Sequence, residues 1–189
     1  MRVTLLDYTG QPVDTIGKMA AICYDAKTDE QSNIKRATHC KDKGHLMTMR
    51  FAYATFNIAG ISRVCSHQLV RVAIAGILQE SQRYVEQTNI EYINPNSLSS
   101  MPPGVRSVWD SAQSTASMAY RMAIKSGMKK EDARYILPQG CTTQLNMCLN
   151  FAAWRDLLKN RTSPSAQWEV REVALAIEAE LHKIAPELF

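Results

Sequence analysis

The sequence lacks the features that would place it in a membrane, in a disulfide-stabilised secreted framework or among the phosphate-loop enzymes. No apolar run approaches the ~20 residues that a membrane-spanning helix needs, and the N-terminal residues contain no long apolar signal core. The five cysteines are odd in number and show no paired C-x-x-C spacing, which favours reduced thiols. No glycine-rich loop of the P-loop or dinucleotide-binding type is present. We therefore expect a cytoplasmic protein.

Two kinds of catalytic site are also poorly supported by the residue spacing. Histidines and cysteines cluster between positions 39 and 67, but their spacing matches no zinc-binding pattern, so we predict no metal site. Cys141 follows Gly140 and could lie in a turn near Arg134, yet no histidine is adjacent to act as its base. A buried structural cysteine is a better interpretation of Cys141 than a nucleophile.

Length, composition and charge indicate one ordinary globular domain that covers residues 1–189. The chain has 189 residues, of which 46% are hydrophobic and 21% are charged, so it can form a sizeable core. The formal net charge of +4 suits an anionic ligand. The basic residues form no long block, which argues against a nucleic-acid-binding protein.

A few strands mixed with many helices indicate an α+β fold, in which a small antiparallel sheet is flanked by helices. Apolar and β-branched runs predict strands at 3–8 and 51–58, the second broken by Gly60, and a short extended piece at 134–138. Helical spacing predicts a helix that begins near Pro12, helices at 30–40, 61 to about 75, 105–126 and 145–158, and a last helix with Ser165 as its N-cap.

The segment from Gln68 to Tyr84, which we call the signature segment, is rich in groups that bind anions. It reads Gln-Leu-Val-Arg-Val-Ala-Ile-Ala-Gly-Ile-Leu-Gln-Glu-Ser-Gln-Arg-Tyr. Gln68 and Arg71 share a face if they lie on a helix, and Ser81 and Arg83 share a side if they lie on an extended strand. The alternatives are a solvated helix residue for Gln68 and a turn residue for Ser81.

Four arginines fall at predicted element boundaries: Arg71, Arg83, Arg134 and Arg161. Guanidinium groups in such places bind phosphate or carboxylate through bidentate, charge-assisted hydrogen bonds. A shared anion site is one interpretation of the four, and separate surface positions are the other.

The signature segment resembles that of the flavin-dependent thymidylate synthases, which read Q-x-x-R-H-R, five mostly small or variable residues, and then E/Q-x-S-x-R-Y. The positions in register are Gln68, Arg71, Gln79, Ser81, Arg83 and Tyr84. The stretches at 20–24, 44–45, 61–68, 133–138 and 165–169 resemble further markers of that family, in the right order. The resemblance thus covers nearly the whole chain.

The resemblance implies a methyltransferase-type enzyme that transfers a one-carbon unit from methylenetetrahydrofolate to carbon 5 of deoxyuridine monophosphate (dUMP). It implies FAD and NADPH as cofactors, and a homotetramer whose active sites are built from several subunits. The nucleotide-binding residues that it implies are Gln68, Arg71, Gln79, Ser81, Arg83, Arg134 and Arg161. FAD contacts are implied for His45, Arg71 and Asn150. Arg161 would also be catalytic, because a guanidinium that polarises a uracil carbonyl stabilises negative charge on the ring.

The departures from the family pattern lie on the flavin side. The histidine and second arginine of the signature are Val72 and Ala73 in this chain, and other flavin-side positions of the family are Arg50, Phe51, Ala152 and Asp156. A lost charged contact typically costs ~1.5–3 kcal/mol, so dependence on FAD is open. Two alternatives therefore stand beside the synthase: a flavin-poor relative that hydroxymethylates a deoxypyrimidine monophosphate, and a non-catalytic nucleotide-binding subunit.

Overall fold

The computed structural model describes residues 1–87 and 89–189, and the chain divides into two compact units. Unit 1 comprises Met1–Ala59, Leu69–Leu78 and Leu145–Phe189, and unit 2 comprises Gly60–Gln68 and Gln79–Gln144. The signature segment contributes residues to both units. The single domain of residues 1–189 stays a prediction.

The described residues form four strands and seven α-helices in an α+β arrangement. The strands are β1 (Arg2–Tyr8), β2 (Tyr53–Ser62), β3 (Gly76–Gln79) and β4 (Thr142–Asn150). The helices are α1 (Pro12–Ala21), α2 (Glu30–Asp42), α3 (Arg63–Leu69), α4 (Pro103–Lys125), α5 (Lys130–Ala133), α6 (Phe151–Arg161) and α7 (Trp168–Ile184). Short 3₁₀ helices lie at Ile22–Tyr24, Leu46–Phe51, Asn96–Ser100 and Arg134–Ile136. The strands form one sheet in the order β1-β2-β4-β3, which confirms the predicted fold class.

The core of unit 1 lies between its part of the sheet and helices α6 and α7. Strand β1 pairs antiparallel with β2, from Arg2 opposite Ala59 to Tyr8 opposite Ala54. The Trp154 ring meets Phe56 edge-on at 5.2 Å between centroids, and its indole N–H donates to the Ala54 carbonyl at 3.0 Å. The residues of α7 that face this core are Val170, Val173, Ala174, Ile177 and Leu181, all of them buried. Their i, i+3, i+4 spacing explains why the sequence predicts this helix so clearly.

Helices α1 and α2 of unit 1 approach each other closely at Gly17. A Cβ atom at Gly17 would lie 1.9 Å from the carbonyl oxygen of Asn33, so only glycine fits there. The buried Asn33 amide donates to Asp14 at 2.8 Å and accepts from Arg36 at 2.8 Å. The Arg36 guanidinium also donates to the Gly17 carbonyl at 3.0 Å. These bonds satisfy the polar groups that the close contact buries.

Unit 2 is built around the long helix α4. Tyr120 is fully buried, and its hydroxyl accepts from the backbone N–H of Gln87 at 3.1 Å. The hydroxyl groups of Tyr92 and Ser117 are 2.8 Å apart. Much of α4 is nevertheless exposed, including Val108 at 71% and Met122 at 62%.

The predicted helix at 145–158 is wrong in its first half. Residues Thr142–Asn150 form strand β4, and α6 begins only at Phe151. Within β4 the side chains of Leu145, Met147 and Leu149 are buried, while their neighbours are less so. Apolar residues at every second position are typical of a half-buried strand. In β4 this alternation outweighs the helical propensity of the leucines and the methionine.

Smaller differences concern element ends. Helix α3 stops at Leu69 instead of continuing to about residue 75, and residues 70–75 form turns that lead into β3. Gly60 does not break β2, because it takes a positive φ of 67° inside the strand, which glycine does at little cost. Residues 134–136 form a 3₁₀ turn instead of an extended piece, and Gln167, not Ser165, caps α7. No helix within the described residues is long and apolar enough to cross a membrane.

Candidate functional site

A cleft of about 500 Å³ in unit 1 brings the middle of the signature segment next to helix α6. Val72, Ala73 and Ile74 form part of its lining. The lining residues from α6 are Ala153, Asp156, Leu157, Asn160 and Arg161. The cleft therefore has an apolar wall and a polar wall that carries one carboxylate, one amide and one guanidinium.

The apolar wall is formed by consecutive turns after helix α3. The backbone N–H of Val72 donates to the Leu69 carbonyl at 3.3 Å, and that of Ala75 donates to the Val72 carbonyl at 3.0 Å. These turns leave Ile74 67% exposed. Because both bonds join backbone atoms, the turn does not depend on which side chains occupy positions 72 and 73.

The polar wall follows from the position of α6, which Asn150 caps. The Asn150 side-chain oxygen accepts from the backbone N–H of Ala153 at 2.9 Å. Arg161 is the last residue of α6, where a positive charge interacts favourably with the helix dipole. Asn150 thus has a structural role as a cap, which leaves its Nδ2 donor to contact a cofactor.

The other predicted residues of unit 1 lie elsewhere than in the cleft lining. Arg71 lies exposed in the turn after α3. His45 precedes the 3₁₀ helix Leu46–Phe51, and its backbone N–H donates to the Cys40 carbonyl at 2.8 Å. Its own carbonyl accepts from the Thr48 hydroxyl at 2.9 Å, and the residue is exposed. Of the arginines predicted to bind nucleotide, the cleft in unit 1 includes Arg161 and not Arg71.

In unit 2, Gln79 is held by two hydroxyl groups. Its Nε2 group donates to Ser66 Oγ at 2.9 Å and to Thr143 Oγ1 at 3.3 Å. Ser66 belongs to α3, the helix that also carries the partly buried Gln68. Since the amide N–H groups are engaged, Gln79 presents its Oε1 acceptor to any ligand.

Arg83 and Arg134, both predicted to bind nucleotide, are joined by Glu131. Arg83 Nε lies 2.6 Å from a Glu131 carboxylate oxygen, and Arg134 Nε donates to the Glu131 backbone carbonyl at 3.1 Å. The Arg83 guanidinium also lies over the Tyr84 ring, 5.5 Å from its centroid. Lys130 donates to the Tyr84 carbonyl at 3.2 Å. Glu131, which the sequence did not single out, therefore bonds to both arginines, to Arg83 through its carboxylate and to Arg134 through its backbone carbonyl.

Ser81 lies in a tight turn. Its hydroxyl oxygen accepts from the backbone N–H of Arg83 at 3.2 Å, and its carbonyl accepts from that of Val85 at 2.9 Å. This is the turn role that the sequence leaves open for Ser81. The hydroxyl hydrogen can still be donated to a ligand, because a hydroxyl donates and accepts at the same time.

Arg63 is a partly buried cation of unit 2 that the sequence analysis missed. Its Nη2 group donates to the Glu80 carbonyl at 2.9 Å. Burial, and to a smaller extent the charge of Arg134, lowers the pKa of the Arg63 guanidinium. The available signal was a single arginine, at the first position of α3, in a stretch from 51 to 70 that contains no other Lys, Arg, Asp or Glu.

Cys141 is buried next to this arginine. Burial raises the pKa of the Cys141 thiol, an effect that outweighs the hydrogen bond from Gln82 Nε2 to its sulfur at 3.3 Å. The thiol is therefore protonated at neutral pH and is a poor nucleophile.

Comparison with known proteins identifies the family. The family model described as thymidylate synthase complementing protein matches residues 4–187. A protein of Pyrococcus furiosus named flavin-dependent thymidylate synthase is 34% identical over 195 residues, which cover 97% of this chain and 80% of that protein. Proteins of the same name from Geobacter sulfurreducens and Clostridium tetani are 33% and 30% identical, and both matches cover 100% of this chain and 85% of the relative. The predicted membership is confirmed: the chain belongs to the thymidylate synthase complementing protein family, that of the flavin-dependent thymidylate synthases.

Proposed function

We propose that the protein is a flavin-dependent thymidylate synthase, a methyltransferase-type enzyme. In this reaction a one-carbon unit from methylenetetrahydrofolate is added to carbon 5 of dUMP, with NADPH as the source of reducing equivalents. The relatives that carry this name match the chain over nearly its whole length. The observation that carries the proposal is the cleft of unit 1, where residues 72–74 of the signature segment and Arg161 share one lining.

On the phosphate side, we propose that the residues of unit 2 bind the nucleotide. Arg83 and Arg134 provide guanidinium groups, and Ser81 provides a hydroxyl donor, which are the groups that recognise a phosphate. Gln79 offers its Oε1 acceptor because its N–H groups are already bonded. Gln68 belongs to the same proposed set.

On the base side, Arg161 is the proposed catalytic residue. Its guanidinium lines the cleft and is a pure hydrogen-bond donor, so it can bond to a uracil carbonyl oxygen. Forming the enolate of the ring, whose carbon 5 is the nucleophile toward the one-carbon donor, places negative charge on that oxygen. A fixed positive charge there stabilises the transition state more than the ground state, which is how it would accelerate the reaction.

The cleft of unit 1 also fits the ring system of FAD. A planar conjugated ring can stack on the aliphatic side chains of Val72, Ala73 and Leu157, while Asn160 and Arg161 can bond to its polar edge. Bound FAD supplies the redox chemistry of the reaction. We propose that Arg71, His45 and the Nδ2 group of Asn150 contact the remainder of the cofactor.

We further propose that the enzyme is a homotetramer with self-associating α4 helices. Exposed apolar side chains lie along α4, at Val105, Val108, Trp109, Met118 and Met122. Burying such a face against a second copy is favourable by ~25 cal/mol per Å² of apolar surface. Light scattering should give four times the chain mass of 21.2 kDa, and Val108→Glu should lower that mass.

The test of the function combines an absorbance spectrum with product analysis. Purified protein should show flavin absorbance after FAD is added, and should convert dUMP, methylenetetrahydrofolate and NADPH into thymidylate by mass spectrometry. A hydroxymethylated product without flavin absorbance would instead support the flavin-poor hydroxymethylase. Nucleotide binding without turnover under any cofactor set would support a non-catalytic subunit.

A matched pair of variants tests the role of Arg161. Arg161→Gln should lower kcat at least 100-fold, whereas Lys159→Gln, an exposed charge loss on the same helix, should leave kcat within about twofold. Equal activity of the two variants would remove Arg161 from the reaction.

A further inference from the structure

Asp156 places an exposed carboxylate in the lining of the unit 1 cleft, and the fold does not require it there. The residue lies in the middle of α6, away from the helix N-terminus that would favour a negative charge. Aspartate is also a poor helix former in such a position. Within residues 1–87 and 89–189, Asp156 forms no salt bridge. The carboxylate can therefore interact with whatever occupies the cleft.

The cleft lining carries two opposite charges that are not paired with each other. The positive charge belongs to Arg161, which also forms no salt bridge in the described part of the chain. The Asn160 amide donates to the Asp156 backbone carbonyl at 2.8 Å, so this donor is engaged with the helix backbone and not with the Asp156 carboxylate. A ligand in the cleft thus faces one positive and one negative group.

The remainder of the lining is aliphatic and contributes no further charge. It is formed by residues 72–74, Ala153 and Leu157. When a ligand displaces water from such a cleft, the interaction between a charge on the ligand and a charge on the wall becomes stronger. A change in the charge of a bound ligand should therefore change its affinity for this cleft.

We propose that Asp156 makes the cleft prefer oxidised FAD over reduced FAD. This inference rests on the proposed function, which places the ring system of FAD in the cleft. Hydride transfer from NADPH converts FAD and NADPH into FADH⁻ and NADP⁺, so the ring system gains one negative charge. The Asp156 carboxylate repels that charge, whereas it interacts only weakly with the neutral oxidised ring.

The consequence is a lower reduction potential of the bound cofactor. Because the cleft binds the reduced form less tightly than it would without the carboxylate, bound FADH⁻ gives up its hydride more readily. Arg161 acts in the opposite direction, since its positive charge stabilises the anionic ring. Asp156 thus counteracts Arg161 and shifts the balance from accepting a hydride from NADPH toward donating it to the one-carbon unit.

A carboxylate that belongs only to the exposed surface of α6 makes a different prediction. Its removal would change the affinities for oxidised and reduced FAD by the same factor, or would change neither. An electrostatic role changes the ratio of the two affinities, and the reduction potential reports this ratio directly. For a two-electron couple, a tenfold change in the ratio corresponds to about 30 mV.

The experiment measures the midpoint potential of FAD bound to the full-length protein, by anaerobic titration against a reference dye. Asp156→Asn removes the charge with little change of shape, and Asp156→Glu keeps the charge. Glu172→Gln is the control, because it removes an exposed carboxylate of α7 outside the cleft lining. We expect Asp156→Asn to strengthen the binding of reduced FAD relative to oxidised FAD by about 3- to 30-fold, which raises the potential. The other two variants should stay within about twofold of wild type.

The outcomes separate this inference from the proposed function. A higher potential in Asp156→Asn alone supports the inference. An unchanged potential in Asp156→Asn, or an equal rise in Asp156→Glu or Glu172→Gln, overturns it and leaves the proposed function intact. If wild type binds neither oxidised nor reduced FAD, the flavin dependence of the proposed function fails, and the inference fails with it. If Asp156→Asn does not fold, Asp156→Ser carries the same comparison, because it also removes the charge.

Discussion

Arg83 and Glu131 form an ion pair, and we predict that substitutions of the two residues change dUMP affinity in opposite directions. Arg83 Nε contacts the Glu131 carboxylate at 2.6 Å, so the guanidinium must share or give up this partner when it binds a phosphate. Removing the cation should weaken dUMP binding. Neutralising the carboxylate should strengthen it, because the arginine is released and a repelling negative charge disappears.

The magnitude follows from the exposure of the two side chains. A hydrogen bond to a charged group contributes ~1.5–3 kcal/mol. The side chains of Arg83 and Glu131 are 56% and 35% exposed, and ion pairs this exposed contribute only ~0–1 kcal/mol, so little is lost when the pair opens. The difference is roughly 0.5–3 kcal/mol, or about a 2- to 150-fold increase in Kd for Arg83→Gln. Glu131→Gln should lower Kd by about two- to fivefold.

The assay is calorimetry with dUMP, with deoxyuridine as the phosphate-free control ligand and Arg121→Gln as the control variant. Both effects should shrink at high salt, since exposed charges are screened within a Debye length of about 3 Å at 1 M. If Arg83→Gln binds dUMP as tightly as wild type, Arg83 does not contact the nucleotide. If Glu131→Gln weakens binding, Glu131 orients the arginine instead of competing for it.

Three further predictions concern stability and reactivity. Gly17→Ala should lower the free energy of unfolding in urea by about 1–3 kcal/mol, whereas Gly10→Ala, where no atom lies near the added Cβ, should not. Asn150→Ala removes the cap of α6 and should lower the free energy of unfolding by about 0.5–2 kcal/mol. Asn150→Asp keeps the cap but loses the amide donor, so it should weaken FAD binding if that donor contacts the cofactor. Because burial raises the pKa of the Cys141 thiol, its alkylation by iodoacetamide should stay slow up to about pH 8.5. The exposed Cys23 should react under the same conditions. Equally fast labelling of the two cysteines would contradict the burial of Cys141.

The sequence predicted the amphipathic helices better than the central strands. The predicted ends of α2, α4 and β1 agree with the structure within a few residues, and α1 begins at Pro12 as predicted. Strand β4 was mistaken for a helix because the run Leu-Asn-Met-Cys-Leu contains residues that favour helices when considered one at a time. The burial of every second side chain in β4 depends on the strands that pair with it, and the local sequence does not specify those strands.

The sequence predicted which arginines belong to the candidate site, but not which residues they bond to in the folded chain. The spacing singled out Arg83 and Arg134, yet Glu131, which contacts both, looked like an ordinary surface residue beside two lysines. Arg63 was missed for a related reason. A lone arginine in a stretch without other charged residues gives no sign of its surroundings, and the burial of its Nε group exists only once the chain is folded.

The signature segment is held in two different ways, and this difference bears on how the chain could diverge from its family. In unit 2, side chains make the contacts: Gln79 bonds to Ser66 and Thr143, and Arg83 bonds to Glu131. A substitution there breaks the local arrangement as well as any contact with a ligand. At positions 72 and 73 the turn is held by backbone bonds alone, so a charged residue can be replaced by an aliphatic one without loss of the turn. The physical constraint is therefore strongest on the proposed phosphate-binding residues and weakest on the apolar wall of the cleft, which is where Val72 and Ala73 depart from the family pattern.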